Sequence, residues 1–545
     1  MLRPTLVVAP WLLLTSLVAA LQADWPQGPG PNGDWSAEGP EPPLRFSVRT
    51  GGGIRWRTSL PETGQGGIAV AAGRVFVATM APWDPANALS AEDAELYAHA
   101  IEKRTVAGKD IDAHCLDAAT GEILWTRRIE GEVPAIYTYP FSDATSASPV
   151  TDGEHVWFTN AGGRVVCFTL DGEAVWERAF TPTFDGPFNK QFEPVLVRGG
   201  ERRTLVHMEP FPAPDAEDPA DLHGRWHHLV GLDAATGEVL WRSEDALTHY
   251  NAPTVVTTED GPCMLHARGG PHQVPERPVG VSLTRLTGEE AGSRVWRFED
   301  PRGNHEGALQ TMAHDGERAY WILKDPRSAL VVLDLATGEE TREVSLVKGV
   351  TRTTFDVAAG RWVTETGVDL DRGVFPARYS MIAANGFVHF QCYATAWGKP
   401  TIGPAYSFGR VDPESGTVEY LEVPTDAVRG EDGVRRYLWR TKRVARPLNG
   451  RGEEVTGDDR CRWDGWDWVF NGSPTRVNDR LYFTLASGVV YVLDADTSAF
   501  DGRALLAVND LGPAGEVWTA NSASYADGRL YHRTGAELIC VGYLP

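Results

Sequence analysis

The chain has 545 residues, 42% hydrophobic and 23% charged, which is enough apolar material for a large core. Its 51 basic against 74 acidic residues give a formal charge of -23, a surface that repels phosphate backbones and argues against a nucleic-acid partner. The 57 glycines and 37 prolines are spread along the chain, which points to many short strands and not to a disordered tract.

Residues 1–23 read as a secretory signal. Arg3 supplies the positive end, 6–20 is mostly apolar with Pro10 inside it, and small residues allow cleavage after Ala20 or Ala23. The apolar run is short for a membrane span and has no basic stop-transfer flank, and no later segment is long and apolar enough to cross a bilayer. A periplasmic or extracellular protein without a transmembrane segment after cleavage is expected. Residues 24–52 read as an extended segment, and 53–545 as a single domain. Within it, 53–60 with Trp56 has the pattern of an outer strand that lacks its own partners. An insertion at 81–112 contains a predicted helix over 90–104, with Ser90 and Asp93 as a capping box and Lys103-Arg104 in the last turn.

A repeat then begins. Leu116-Asp117-Ala118-Ala119-Thr120-Gly121-Glu122 followed by Trp125 recurs as Leu232-Asp233-Ala234-Ala235-Thr236-Gly237-Glu238 followed by Trp241. Weaker copies end at Trp176, one residue short in the turn, and at Trp296, with extra residues. Asp334 to Gly338 keeps the turn but has Arg342 in place of tryptophan. Asp412 to Gly416 reaches Tyr420, and 492–497 keeps the strand and loses the glycine. Each unit reads as a hairpin: alternating apolar residues end at Asp, Asp and Thr bond their own turn, and Gly supplies the positive φ that closes it. The next strand carries a large aromatic to pack on a neighbouring sheet. A second hairpin lies upstream of most copies, as at 148–158 and 473–483. Two hairpins make a four-stranded antiparallel sheet, which buries both faces only by stacking with its like in a ring.

Outer strands fall near Trp56, Trp125, Trp176, Trp241, Trp296, Arg342, Tyr420 and Leu506. The expectation is therefore an all-β, eight-bladed propeller of four-stranded antiparallel blades. Seven blades is the alternative, because the sixth and seventh copies are degraded. The last inner strands, in 521–542, have no outer strand after them, so 53–60 is expected to complete their sheet and remove a free edge. Two further insertions, 352–376 and 425–471, interrupt the pattern; the first reads as a long connection before an inner strand. Cys115, Cys167 and Cys540 occupy matching repeat positions and read as small buried residues, and a bridge between Cys392 and Cys461 is left open.

The Asp…Thr-Gly…Trp units resemble the PQQ-like (pyrroloquinoline-quinone-like) propeller repeat family over nearly the whole chain after the signal. Asp24-Trp25-Pro26-Gln27 resembles the mature start of many exported bacterial members. That family holds both enzymes and scaffolds, so the likeness implies a fold before a function. Its quinoprotein alcohol and sugar dehydrogenases hold PQQ and a calcium ion in the central funnel. Their frequent adjacent-cysteine pair and CxxCH haem site are absent here. Another branch resembles the scaffold of the outer-membrane protein assembly machine, which carries no cofactor. The expectation is an exported, non-catalytic scaffold of the cell envelope that binds a protein, a polysaccharide or a small ligand, with no cofactor. The alternative is a PQQ- and calcium-dependent dehydrogenase of an alcohol or sugar.

Loops entering the innermost strands line the funnel mouth in this fold. His249, Asn251, His305, Glu306, Arg378, Asn471 and Asn521 fall in such loops. His305 with Glu306 joins an imidazole to a carboxylate, groups that bind a metal or move a proton. Asn251, Asn471 and Asn521 each precede a strand, where Asn equally caps its own turn. Trp463, Trp466 and Trp468 suit stacking on a sugar or quinone, or a partner patch, or one face of a core strand. His227-His228 read as strand residues. No GxSxG, HExxH, P-loop or EF-hand pattern occurs.

Overall fold

In a computed structural model of the chain, the structure describes residues 24–82, 106–132, 135–136, 143–182, 193–212, 226–247, 252, 254–268, 279–300, 312–323, 327–370, 375–376, 381–393, 407–424, 426–438, 448–452, 472–513 and 515–543. The signal, the helix expected at 90–104 and Cys461 lie outside them. The described chain is all-β, and eight four-stranded antiparallel blades form a propeller. Blades 1 to 7 span 69–129, 150–179, 195–247, 254–299, 313–345, 382–422 and 475–510. Blade 8 takes its three inner strands from 524–541 and its outer strand, Ile54–Ser59, from the other end of the chain. Trp56 lies opposite Cys540 and Ser59 opposite Glu537 in that closing pair. Cys392 is a free, buried thiol, so the bridge left open for it is not made; its strand points it into the apolar layer between blades 5 and 6.

Middle strands are buried on both faces because each blade is sandwiched by two others, as in Ile111–Asp117. Outer strands are half exposed, and the buried positions of Ile123–Ile129 are Trp125 and Ile129. Four of the outer-strand tryptophans lie over the turn glycine of the next blade, while Trp241 of blade 3 packs on Gly231 of its own blade. Trp56 covers Gly121 and donates to the Ala118 carbonyl at 3.1 Å, and Trp125 covers Gly172 and donates to Leu170 at 2.8 Å. Trp176 covers Gly237 and donates to Ala234 at 3.0 Å, and Trp296 covers Gly338 and donates to Leu335 at 2.7 Å. The fifth blade, where Arg342 stands for tryptophan, keeps the arrangement. Its guanidinium lies on Gly416 and donates to the carbonyls of Glu414 and Ser415. In blade 7, Ser498 stands where blades 1, 3, 5 and 6 carry the turn glycine, and the joint between blades 6 and 7 is built differently. Buried Arg410 pairs with Glu419 at 2.6 Å, donates to the Thr497 carbonyl at 2.6 Å, and lies 4.1 Å from the Phe387 ring centroid.

The turn glycine therefore answers two demands, one conformational and one steric. At Gly237, φ is +76° and a Cβ would stand 2.7 Å from the Trp176 ring. At Gly316, φ is +93° with open space around the Cβ position. Gly316→Ala is expected to cost about 1–2 kcal/mol for the backbone alone, and Gly237→Ala about 2–5 kcal/mol because the indole must also move. Urea unfolding of the two variants measures the difference. Equal losses would refute the steric half of the account.

The segment before the closing strand runs through the ring. Trp25 exchanges backbone hydrogen bonds with Val70 of blade 1, and the Pro26 carbonyl accepts from Thr151 of blade 2. Gln27 accepts from Leu196 of blade 3, and Gly33 from Val255 of blade 4. Ser36–Ala37 then pairs in parallel with Thr475–Val477 of blade 7. All these partners lie on innermost strands, so 24–37 occupies the axis. Residues 38–43 pass beneath blades 8 and 7, where the Tyr525 hydroxyl donates to Pro40 and Tyr482 to Pro43. Residues 44–53 lie along the outer strand of blade 7, held by Asn509 and Asp510, with Phe46 5.5 Å from the His532 ring of blade 8. What reads in the sequence as a plain extension is a plug, a strap and a wedge in succession.

Candidate functional site

Four strands per blade place the first-hairpin turns and the Asp–Gly turns on one face of the ring. Connections between hairpins, and between blades, leave from the other face. The plug enters from the turn face, and its tip is Gly28. A Cβ at Gly28 would stand 2.4 Å from Glu193 Oε2 and 3.2 Å from Ser148 Oγ. Ser148 and Glu193 precede the innermost strands of blades 2 and 3, so the tip reaches the level at which the chain enters those strands. Gly67, before the inner strand of blade 1, donates its N–H to Ser148 Oγ at 2.8 Å. A Cβ there would stand 2.6 Å from Ser148 Oγ and 3.9 Å from Asn521 Oδ1. The small residues 66–67 and Gly472 let these loops close on the axis; a Cβ at Gly472 would meet the Asn521 backbone at 2.6 Å.

Gly28, Gly67, Ser148, Glu193 and Asn521 thus make a polar floor across the axis. Burial pushes the Glu193 carboxyl up to about 7, against the pull of its bonds to Ser148. Among the described residues its Oε2 is buried without a hydrogen-bond partner, and so is Oδ1 of Asn521, a residue 4% exposed. The floor therefore holds two buried oxygen acceptors that the described residues leave unpaired, one of them on a carboxyl whose neutral form burial favours. Beside it, buried Arg533 donates to the Gly66 carbonyl at 2.9 Å. Glu62 accepts from Asn449 at 2.9 Å and pairs with Arg451, tying 448–452 to the loop between blades 8 and 1.

Of the residues singled out in the sequence, Asn521 is at this floor. His249, Asn251, His305, Glu306, Arg378, Trp463, Trp466, Trp468 and Asn471 lie outside the described residues. Glu193 was missed, although it directly precedes Pro194 and an inner strand, the same kind of position that singled out Asn521. His227 and His228 are strand residues buried in blade 3, as read.

A second cluster lies on the turn face. Asp152, Glu154 and His155 come within metal-ligating distance of one another beside a cleft of about 500 Å³ between blades 2 and 3. Asp152 Oδ1 accepts from the N–H groups of Glu154 and His155 at 2.9 and 2.7 Å, and its other oxygen pairs with Arg203. The arrangement is a self-capped turn with a guanidinium already in place.

A family model described as outer membrane protein assembly factor BamB matches residues 45–207 and 109–260, from the wedge and closing strand to the start of blade 4. The matched stretch, residues 45–260, carries PQQ-like β-propeller repeats. Among solved structures, the propeller is similar to quinohemoprotein alcohol dehydrogenase from Comamonas testosteroni: 14% identity over 96% of this chain and 81% of that one, TM-score 0.49. It is similar to a europium-containing methanol dehydrogenase at 10% identity, over 94% and 90% of the two chains, with TM-score 0.47. BamB from Moraxella catarrhalis is 13% identical over 73% of this chain and 94% of that one, with TM-score 0.35. At these values the likenesses carry no argument about activity. No curated protein matches the chain.

Proposed function

We propose that this propeller is a non-catalytic scaffold of the cell envelope that binds a protein, a polysaccharide or a small ligand on its loop face. The observation that carries this reading is the plug. The chain's own residues 24–37 fill the axis from the turn face up to Gly28, at the level where the connections enter the inner strands. Function on rigid scaffolds concentrates in such connections. The two floor acceptors that the described residues leave unpaired suit a ligand that brings hydrogen-bond donors, such as the hydroxyls of a glycan or an amine.

The second reading, a PQQ- and calcium-dependent dehydrogenase, is favoured by those same oxygens, since carboxylate and amide oxygens are the donors calcium takes. Six to eight oxygens complete a calcium shell, of which Glu193 and Asn521 would supply two. The plug favours the scaffold reading, which stands first.

Incubation with PQQ and Ca²⁺ followed by gel filtration separates the readings. The scaffold predicts no retained quinone absorbance and no alcohol-dependent dye reduction. It also predicts a thermal shift with members of a panel of glycans and amines, weakened at least tenfold in apparent affinity by Asn521→Ala, which removes one floor acceptor. Stoichiometric quinone with dye reduction would put the dehydrogenase first.

A further inference from the structure

The insertion after blade 5 reads in the sequence as a connection, and in the structure it is a two-stranded arm. Val350–Asp356 pairs in parallel with the outer strand of blade 6, Val418–Glu422, and Arg361–Val368 pairs antiparallel with Val350–Asp356. Two strands at about 4.8 Å spacing carry the free edge roughly 10 Å beyond blade 6. One face of the arm is anchored: Trp362 meets Phe355 edge-on at 5.2 Å, and its indole lies against Gly502 in the turn of blade 7. Among the described residues, no strand lies beyond Arg361–Val368. Five of its eight residues are exposed, and Val357 at the hairpin tip is 68% exposed. The edge is rich in Val, Thr and Trp and contains neither Pro nor Lys, the residues that ordinarily blunt an edge against pairing.

The charges on this edge are self-complementary. We propose that Arg361–Val368 is a homodimerisation edge, pairing antiparallel with the same strand of a second copy of this chain about a two-fold axis at Val363. That register sets Arg361 opposite the partner's Glu365, and Trp362 opposite the partner's Thr364. Within each arm Glu365 lies opposite Arg352, and Arg361 opposite Asp356. The row across the joined sheet then runs Arg352, Glu365, the partner's Arg361, the partner's Asp356, with the sign alternating at every step. A two-fold at Thr364 would instead set Glu365 against the partner's Val363 and leave both charges unmatched. The two-fold also makes the contact isologous and closed, so it ends at a dimer.

Sedimentation velocity on the full folded chain tests this. The wild type is expected to pass from monomer to dimer with a dissociation constant on the order of 10–100 µM, the range of a small, mainly backbone interface. Arg361→Glu alone and Glu365→Arg alone each place like charges opposite one another, and each is expected to raise that constant at least tenfold. Mixing the two variants brings two Glu against two Arg, and is expected to restore dimers that neither forms alone. Recovery in the mixture excludes misfolding as the cause of the single-variant loss. Val363→Cys, at the two-fold, is expected to give an intermolecular disulfide on mild oxidation, because facing strand residues lie within disulfide reach. A wild type that stays monomeric up to about 500 µM, or a mixture no more dimeric than its components, overturns the proposal.

Discussion

A chain beginning at residue 54, which keeps the closing strand but lacks plug, strap and wedge, is expected not to hold the native fold. The lost segment buries Trp25, Trp35, Phe46 and Val48, each at most 7% exposed. Full burial of such a side chain is worth about 1.5–3 kcal/mol, so the four together account for roughly 6–12 kcal/mol. That equals the whole net stability of a typical protein. Removal also leaves the backbone groups of Val70, Thr151 and Arg476 without their partners. Far-UV circular dichroism and urea unfolding of the shortened chain are the measurement. A midpoint within about 1 M urea of the full chain would show that the axial segment is an accessory to the ring, not a part of its core. The peptide 24–53 added in trans should recover part of the loss by mass action.

Acid is expected to unfold this propeller through its buried histidines, beginning below pH 6.5. Burial holds His114 and His228 down at about 4, and His389 and His532 at about 3, from an ordinary 6.5. Arg533 beside His114, and Arg410 and Arg476 beside His389, push the same way. His266 is lowered too, again first by burial. Below pH 6.5 the unfolded chain takes up protons that the folded chain refuses, so stability falls with pH from about 6.5 down to about 3–4. A shift from 6.5 to about 4 corresponds to roughly 3 kcal/mol per ring at the bottom of that window, and several such rings exceed the stability available. Urea midpoints between pH 8 and pH 4.5 should drop steeply below pH 6. His532→Phe isolates one contribution, because among the described residues neither ring nitrogen of His532 has a hydrogen-bond partner and Phe46 already packs there. The variant should be flatter with pH over this window by about one ring's share. A wild-type midpoint independent of pH between 8 and 5 would contradict the account. Glu193, raised to about 7, acts in the opposite sense: its neutral form is favoured by folding, and that contribution is lost as pH rises through 7.

The repeat is legible in sequence because every unit must solve the same local problem. Asp117, Thr120 and Gly121 close a turn whose bonds are all within four residues, with Asp117 Oδ1 accepting from Ala119 and Thr120 at 2.9 Å. Local chemistry of this kind leaves a pattern, and from it came the eight outer strands, the closure by 53–60 and the all-β class. Arg342 shows the limit of the pattern. The residue is visible as an exception, but only the structure shows it lying on Gly416 as an indole would, because that contact joins residues of two different blades.

Amino-acid order alone, then, determined the blade unit and the strand that closes the ring, since each rests on periodicity and turn stereochemistry within one hairpin. Tertiary structure decided for eight blades over seven, where 24–53 runs, that Glu193 comes against Gly28 and Asn521 against Gly67 and Gly472, and that 350–368 becomes an edge. Those outcomes depend on packing between segments up to hundreds of residues apart. A lone carboxylate before a proline, or a polar stretch of Thr and Val, carries no local mark of the neighbour that the ring brings to it.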